Sequence, residues 1–232
     1  MKYVTIDNFL PGQFADDLYR ELRKIEVSEK WYRYDSPFER KRSTDNWDLF
    51  PKNTNHFLMT TLTGPFIKTV EKQLGMTGLV ADGSLRGGGI HCQESGSFLH
   101  CHADFNMHPQ LKLYRRANGI LYMNKNWDSD WGGDLELWSE DMTVCEKKIA
   151  PKFNRLVLFE IHDKSFHGLP DPITCPPEQR RMSLAFYYYS PKRDGDADPH
   201  STLFQRRPND PIDDHTEELR RQRNLARLSS NV

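Results

Sequence analysis

The sequence predicts a mainly β chain with N-terminal helices, an α+β protein built on an antiparallel barrel or sandwich. Three observations carry this. From Leu79 onward, about nine short runs rich in β-branched and aromatic residues recur, separated by Gly, Asn, Asp and Pro and with no helical stretch between them. Upstream of them, apolar residues recur at helical spacing instead. Aromatics make up 12% of residues, which favours a strand-rich core around a lined pocket.

Residues 2–6 read as a short strand. After Pro11, the side chains of Phe14, Leu18, Leu22 and Ile25 fall on one helical face. Residues 29–54 are polar, aromatic and poorly periodic, so they predict a long loop, or a strand plus loop, that covers a site. A second helical stretch covers 55–74 with Phe66, Val70 and Leu74 on one face, and Gly64-Pro65 breaks or restarts it. The strand runs follow at 79–82, 85–92, 97–104, 118–124, 133–138, 145–150, 155–161, 165–170 and 181–190. The polar tail ends in a helix over 213–228, capped by Asp213 or Asp214, with Arg220, Arg221, Arg223 and Arg227 read as its solvated, dipole-favoured end. The expected organisation is one domain: supporting strand and helices over 1–78, a β core over 79–190 and a polar extension over 191–232.

At 232 residues the chain can bury a full core. Lys+Arg is 32 against Asp+Glu of 33, for a net charge of -1, which argues against a nucleic-acid partner. No segment approaches a membrane span, and the start MKYVTIDNFLPGQF lacks the basic and apolar regions of a signal peptide. Cys92, Cys101, Cys145 and Cys175 are scattered without a CxxC pair, which predicts reduced thiols in a cytoplasmic protein.

The stretch FLHCHADFN places His102 and Asp104 two apart in a predicted strand, so both project from one face, as does His100. Such a pair alone is weak, since a strand histidine beside a turn acid is common. His167, in SFHGLP, strengthens it. Two imidazoles and one carboxylate brought together from these runs can occupy one face of an octahedron, a set that holds Fe(II) with positions open for substrate and O₂. A closed zinc site would need a fourth ligand. Arg181 and Ser183 share a face of the last core strand. A barrel-facing arginine is costly unless paired, and a dicarboxylate cosubstrate would pair it; a rim arginine bonded to a tail acid is the plainer alternative.

In these stretches the chain resembles the Fe(II)/2-oxoglutarate-dependent dioxygenases, specifically the prolyl 4-hydroxylase-like branch. GSFLHCHAD is similar to the family's run to its first two ligands. ILYMNKNWDSDWGGDLELW, APKFNRLVLFEIHDKSFHGLPDPI and RRMSLAFYYYS follow in the family's order. The resemblance implies a double-stranded β-helix (jelly-roll, cupin-like) core, with His102, Asp104 and His167 as iron ligands. It implies that Arg181 grips the distal carboxylate of 2-oxoglutarate, with Tyr122 bonded to the same group and Ser183 assisting. Where the family often has a tyrosine, this chain has Gln93, whose amide can still donate a hydrogen bond. The implied cofactors are Fe(II), 2-oxoglutarate as cosubstrate, O₂ and ascorbate. The implied reaction couples decarboxylation of 2-oxoglutarate, to succinate and CO₂, to hydroxylation of an unactivated C–H. The substrate is a prolyl residue in a peptide or a small metabolite, with no nucleic acid and no membrane partner. The competing readings are a cupin-like metal-dependent dioxygenase or hydrolase that does not use 2-oxoglutarate, and a non-catalytic binding module.

Overall fold

The computed structural model describes residues 1–225. The last turn of the predicted C-terminal helix, with Arg227, lies outside the described residues. The chain runs β1 (Tyr3–Ile6), α1 (Gly12–Lys24), β2 (Tyr32–Ser36), β3 (Glu39–Thr44), α2 (Lys52–Thr61) and α3 (Gly64–Leu74). It continues through β4 (Val80–Ala81), β5 (Gly89–Gln93), β6 (Phe98–Ala103), β7 (Tyr114–Tyr122), β8 (Leu135–Trp138), β9 (Cys145–Ile149) and β10 (Arg155–Glu160). It ends with β11 (His167–Leu169), β12 (Arg181–Ser190), β13 (Leu203–Phe204) and α4 (Asp214–Leu225).

The strands form one curled antiparallel sheet in the order β1-β10-β7-β12-β5-β3-β6-β11-β8-β9, with β2 on β3, β4 on β12 and β13 on β6. This is the double-stranded β-helix expected of the core. All nine core runs are strands. The hairpin of β2 and β3 resolves the poorly periodic region 29–54: β3 bridges β5 and β6 and so joins the two halves of the sheet. Its polar composition hid it: Arg33 and Arg40 are exposed, Tyr34, Lys41 and Arg42 are half-buried, and Ser43 and Thr44 are buried.

The helices cover the outer face of one half. From α1, Leu18 and Leu22 are fully buried, a burial that stabilises by about 1.5–3 kcal/mol for each side chain. Glu21 of α1 accepts from the backbone N–H groups of Asn53 and Thr54 at 3.0 and 3.1 Å, capping α2, which has no side-chain cap of its own. The predicted break at Gly64-Pro65 is real: Pro65 sits in the first turn of α3, which ends on Gly75 in the left-handed conformation, φ 64.

All ten residues of β12 are buried, because both its faces are covered. Met182, Leu184, Phe186 and Tyr188 meet the helices. Arg181, Ser183, Ala185 and Tyr187 line a cavity on the other face. In β7, Ala117 and Leu121 face the helices while Asn118, Ile120 and Tyr122 face the cavity. The interior face of the sheet is thus where an apolar barrel becomes a polar pocket.

Two bulges interrupt the alternation. His167 pairs with His102 but Leu169 pairs with Leu99, so β6 carries an extra residue at His100–Cys101. Tyr189 pairs with Arg115 but Tyr188 pairs with Ala117, so β7 carries an extra residue at Arg116. Bulges of this kind re-aim side chains. The first corrects the expectation for His100: Leu99 lines the cavity with His102 and Asp104, while His100 packs against Phe38 and Phe98. It also demands a glycine opposite. A Cβ on Gly168 would lie 2.8 Å from the Leu99 carbonyl oxygen and 2.9 Å from the Cys101 nitrogen, both backbone atoms that cannot yield without parting β11 from β6. Gly168→Ala is therefore expected to destabilise the chain by about 1–3 kcal/mol in urea unfolding, an overpacking penalty; a value within error of wild type would refute the close approach.

Candidate active site

His102 near the end of β6, Asp104 just beyond it and His167 at the start of β11 converge, and one ligand atom from each lies within 4.8 Å of the others. The reason is register: β11 pairs antiparallel with β6 and sets His167 directly opposite His102, with ring centroids 4.5 Å apart. The Asp104 carboxylate reaches both, with Oδ1 3.5 Å from His102 Nε2 and Oδ2 3.4 Å from His167 Nε2.

Each imidazole is oriented from behind. His102 Nδ1 donates to the His100 carbonyl at 2.8 Å, and His167 Nδ1 donates to the Ser165 carbonyl at 2.9 Å. With the proton held on Nδ1, the lone pair is on Nε2, and both lone pairs point into the cluster. Burial, followed by the neighbouring His167, pushes the pKa of His102 down, which favours the neutral ligand form. Burial works against ionisation of Asp104, but the Arg115 guanidinium leads the opposing effects, and the carboxyl is held well below the usual carboxylate range.

Arg181, Tyr122, Gln93 and Ser183 line the same cavity as the triad, a space of about 100 Å³ with apolar walls of Leu99, Ile120, Leu135 and Leu169. Arg181 is 5% exposed. Its Nε donates to the Gly133 carbonyl at 2.8 Å, and its terminal nitrogens donate to Gln93 Oε1 and, at 3.3 Å, to the Tyr122 hydroxyl. Among the described residues no carboxylate is within ion-pair distance of it. Gln93 therefore accepts from the guanidinium through its oxygen, which leaves its amide N–H₂ as the donor. Burial lowers the pKa of Arg181, partly offset by Tyr122. Ser183 faces the cavity beside them.

Sequence reasoning missed several lining residues. Arg115 and Asn118 of β7 both reach Asp104 Oδ2, at 3.1 and 2.8 Å. The signal was present in YRRANGILY: an arginine in a buried strand requires a partner, the same argument that singled out Arg181. Lys41 and His91 also line the cavity and carried no assignment. His108 and His200, expected on the surface or left unread, are buried: His108 lies 3.3 Å from Asp82 and His200 2.7 Å from Asp163. Trp127 and Trp131 pack edge to face, 5.3 Å apart, against the cluster of Leu169, Ile173 and Cys175. The arginines of α4 are less solvated than expected. Arg220 is buried, and Arg223 pairs with Glu39 at 3.2 Å over the ring of Phe204.

Beside the triad lies a second, open cleft of about 380 Å³ lined by Tyr34, Lys41, Phe105, Met107 and Arg223, which shares His102 and Asp104 with the inner cavity. The inner cavity is lined by both the Arg181 guanidinium and the His-Asp-His cluster, and the outer cleft reaches two members of the same cluster.

Burial, then the nearby Lys41, pushes the His91 imidazole down to about 3, so it is neutral in the fold. An unfolded histidine protonates near 6.5, so below that pH the unfolded chain binds the extra proton, and stability falls as pH drops from about 6.5 towards about 3. In the metal-free protein, His91→Gln is expected to flatten the loss of unfolding free energy between pH 7 and pH 5, by no more than about 1.4 kcal/mol per pH unit. Urea titrations at stepped pH check this, and an unchanged slope would count against it.

Residues 88–189 match the 2OG-Fe(II) oxygenase superfamily. Prolyl 3-hydroxylase OGFOD1 of Mus musculus is 27% identical over 197 residues, which is 82% of this chain but 33% of that protein. The chain thus spans about a third of the length of this curated relative. A Trichoplax adhaerens prolyl hydroxylase, solved with a hypoxia inducible factor oxygen degradation domain peptide fragment, shares the fold. It aligns with TM-score 0.59 and 21% identity, over 81% of this chain and 83% of its own. A Pseudomonas putida prolyl-4-hydroxylase aligns with TM-score 0.56 and 15% identity, over 81% of this chain and 92% of its own. Ordered motifs, a curled sheet of this topology and a convergent His-Asp-His cluster accompany one likeness: residues 88–189 are similar to the 2OG-Fe(II) oxygenase superfamily.

Proposed function

We propose that this chain is an Fe(II)- and 2-oxoglutarate-dependent hydroxylase acting on an unactivated C–H, with a prolyl residue in a peptide as its substrate. The observation that carries the reading is the pairing of two unfinished sites in one cavity. Among the described residues, His102, Asp104 and His167 offer three ligand atoms and no fourth, while buried Arg181, lining the same cavity, has only neutral hydrogen-bond partners. A dicarboxylate bridging the two completes both. With iron bound to the three ligands, 2-oxoglutarate and O₂ together supply the oxidising power, yielding succinate and CO₂.

The chain's own residues do the remaining work. His102 and His167 present preset lone pairs, and Asp104 offsets part of a cation's charge. Arg181 holds the distal carboxylate of the cosubstrate with the Tyr122 hydroxyl and the Gln93 amide as further donors, while Ser183 borders that pocket. Leu99, Ile120, Leu135 and Leu169 keep bulk water from the reacting atoms. The outer cleft, walled by Tyr34, Phe105 and Met107, receives the substrate. The prolyl assignment is supported by the prolyl hydroxylases among the relatives and fold neighbours. Ascorbate would serve as the accessory reductant. A cytoplasmic setting fits four cysteines that are all free thiols, and no described helix is long and apolar enough to cross a membrane.

Anaerobic titration with Fe(II) and 2-oxoglutarate tests the proposal: a weak visible charge-transfer band is expected, and its absence from folded protein would sink the reading. His102→Ala is expected to abolish succinate release. Arg181→Ala is expected to raise the 2-oxoglutarate requirement roughly 10- to 150-fold, from about 1.5–3 kcal/mol for hydrogen bonds to a charged group. An unchanged requirement would favour a metal enzyme that does not use 2-oxoglutarate.

A further inference from the structure

Asp104 is held from behind by two residues that the reaction above does not use. Its Oδ2 accepts from Asn118 Nδ2 at 2.8 Å and lies 3.1 Å from an Arg115 terminal nitrogen. Arg115 Nε in turn donates to Asn118 Oδ1 at 2.8 Å, which closes a three-membered network. His167 Nε2 also lies 3.4 Å from Oδ2, whereas Oδ1 lies 3.5 Å from His102 Nε2 and takes no amide or guanidinium donor among the described residues.

We infer that Arg115 and Asn118 are positioning residues that hold Asp104 as a single-oxygen ligand, with Oδ1 free for a divalent cation. The inference rests on reading His102, Asp104 and His167 as a metal site. The network is built rather than incidental. Residues three apart on a regular strand face opposite ways, and only the extra residue at Arg116 brings Arg115 and Asn118 to one face. Arg116 itself turns to Ser190 and Asp196. The Arg115 guanidinium lies 3.5 Å from the Tyr187 ring centroid and 4.7 Å from that of Phe105, contacts that favour its position facing the carboxylate. Tyr187 is anchored by its hydroxyl, which donates to the Gly87 carbonyl at 2.8 Å.

The sign of the expected effect separates positioning from mere charge balance. Removing the Arg115 charge by itself would leave Asp104 more attractive to a cation, although taking one partner from a buried ion pair costs stability. A loss of metal affinity would therefore report lost geometry. Metal-free protein is titrated with Mn(II), followed by the EPR signal of the free ion, without cosubstrate or turnover. Arg115→Met is expected to weaken binding about 10- to 100-fold, and Asn118→Ala, which keeps the charge, about tenfold. Arg115→Lys is expected to recover part of the loss. Should Arg115→Met fail to fold, Arg115→Lys and Asn118→Ala decide the matter. Folded variants that bind Mn(II) as tightly as wild type, or more tightly, would overturn the inference while leaving the metal site standing. A wild-type chain that binds no Mn(II), or binds it equally after His102→Ala, would overturn both.

Discussion

A half-buried carboxylate governs this structure. Asp104 borders the open cleft on one side, and its ionised form persists because the Arg115 guanidinium faces it and Asn118 donates to it. Each partner comes from a different place in the sheet: His102 from β6, His167 from β11 and Arg115 from β7. The charge therefore ties the two halves of the curled sheet together across the interior. Removing one partner would strand the others in a low dielectric, which is far more costly than never placing them there.

The two buried guanidiniums of the cavity make an instructive contrast. Arg115 has its carboxylate within the chain, and the pair is complete. Arg181 has a carbonyl, an amide oxygen and a phenol, which satisfy its hydrogen bonds but not its charge. Burial lowers its pKa, whereas Asp104 raises that of Arg115 against the same effect of burial. The difference leaves Arg115 with a charged partner inside the chain and Arg181, among the described residues, with neutral partners alone.

Delivery of these groups depends on irregular strands. A perfectly alternating β6 would set His100, and not Leu99, beside His102. A perfectly alternating β7 would turn Asn118 away from Arg115. Each extra residue breaks one alternation and corrects the aim of everything after it, while Gly168 makes room for the first bulge by lacking a Cβ. The outer wall relies on segments with weak patterns: the β2–β3 hairpin, the loop with Phe105 and Met107, and Arg223 of α4.

By itself the sequence determined the helices, the nine core strands and which residue types form the cluster. These follow from local periodicity and from residue types, and both are readable along the chain. The triad and Arg181 were legible because few residue types bind a metal or tolerate burial as a lone cation. Only the tertiary structure decided which side chains share a face after a bulge, that β3 closes the sheet, and that Arg115 with Asn118 stands behind Asp104. A bulge is a difference in count between two paired strands, so no single segment contains it. A polar side chain reads as solvated until its partner is known, and the partners of Arg115, His108, His200 and Arg223 all come from other elements of the fold.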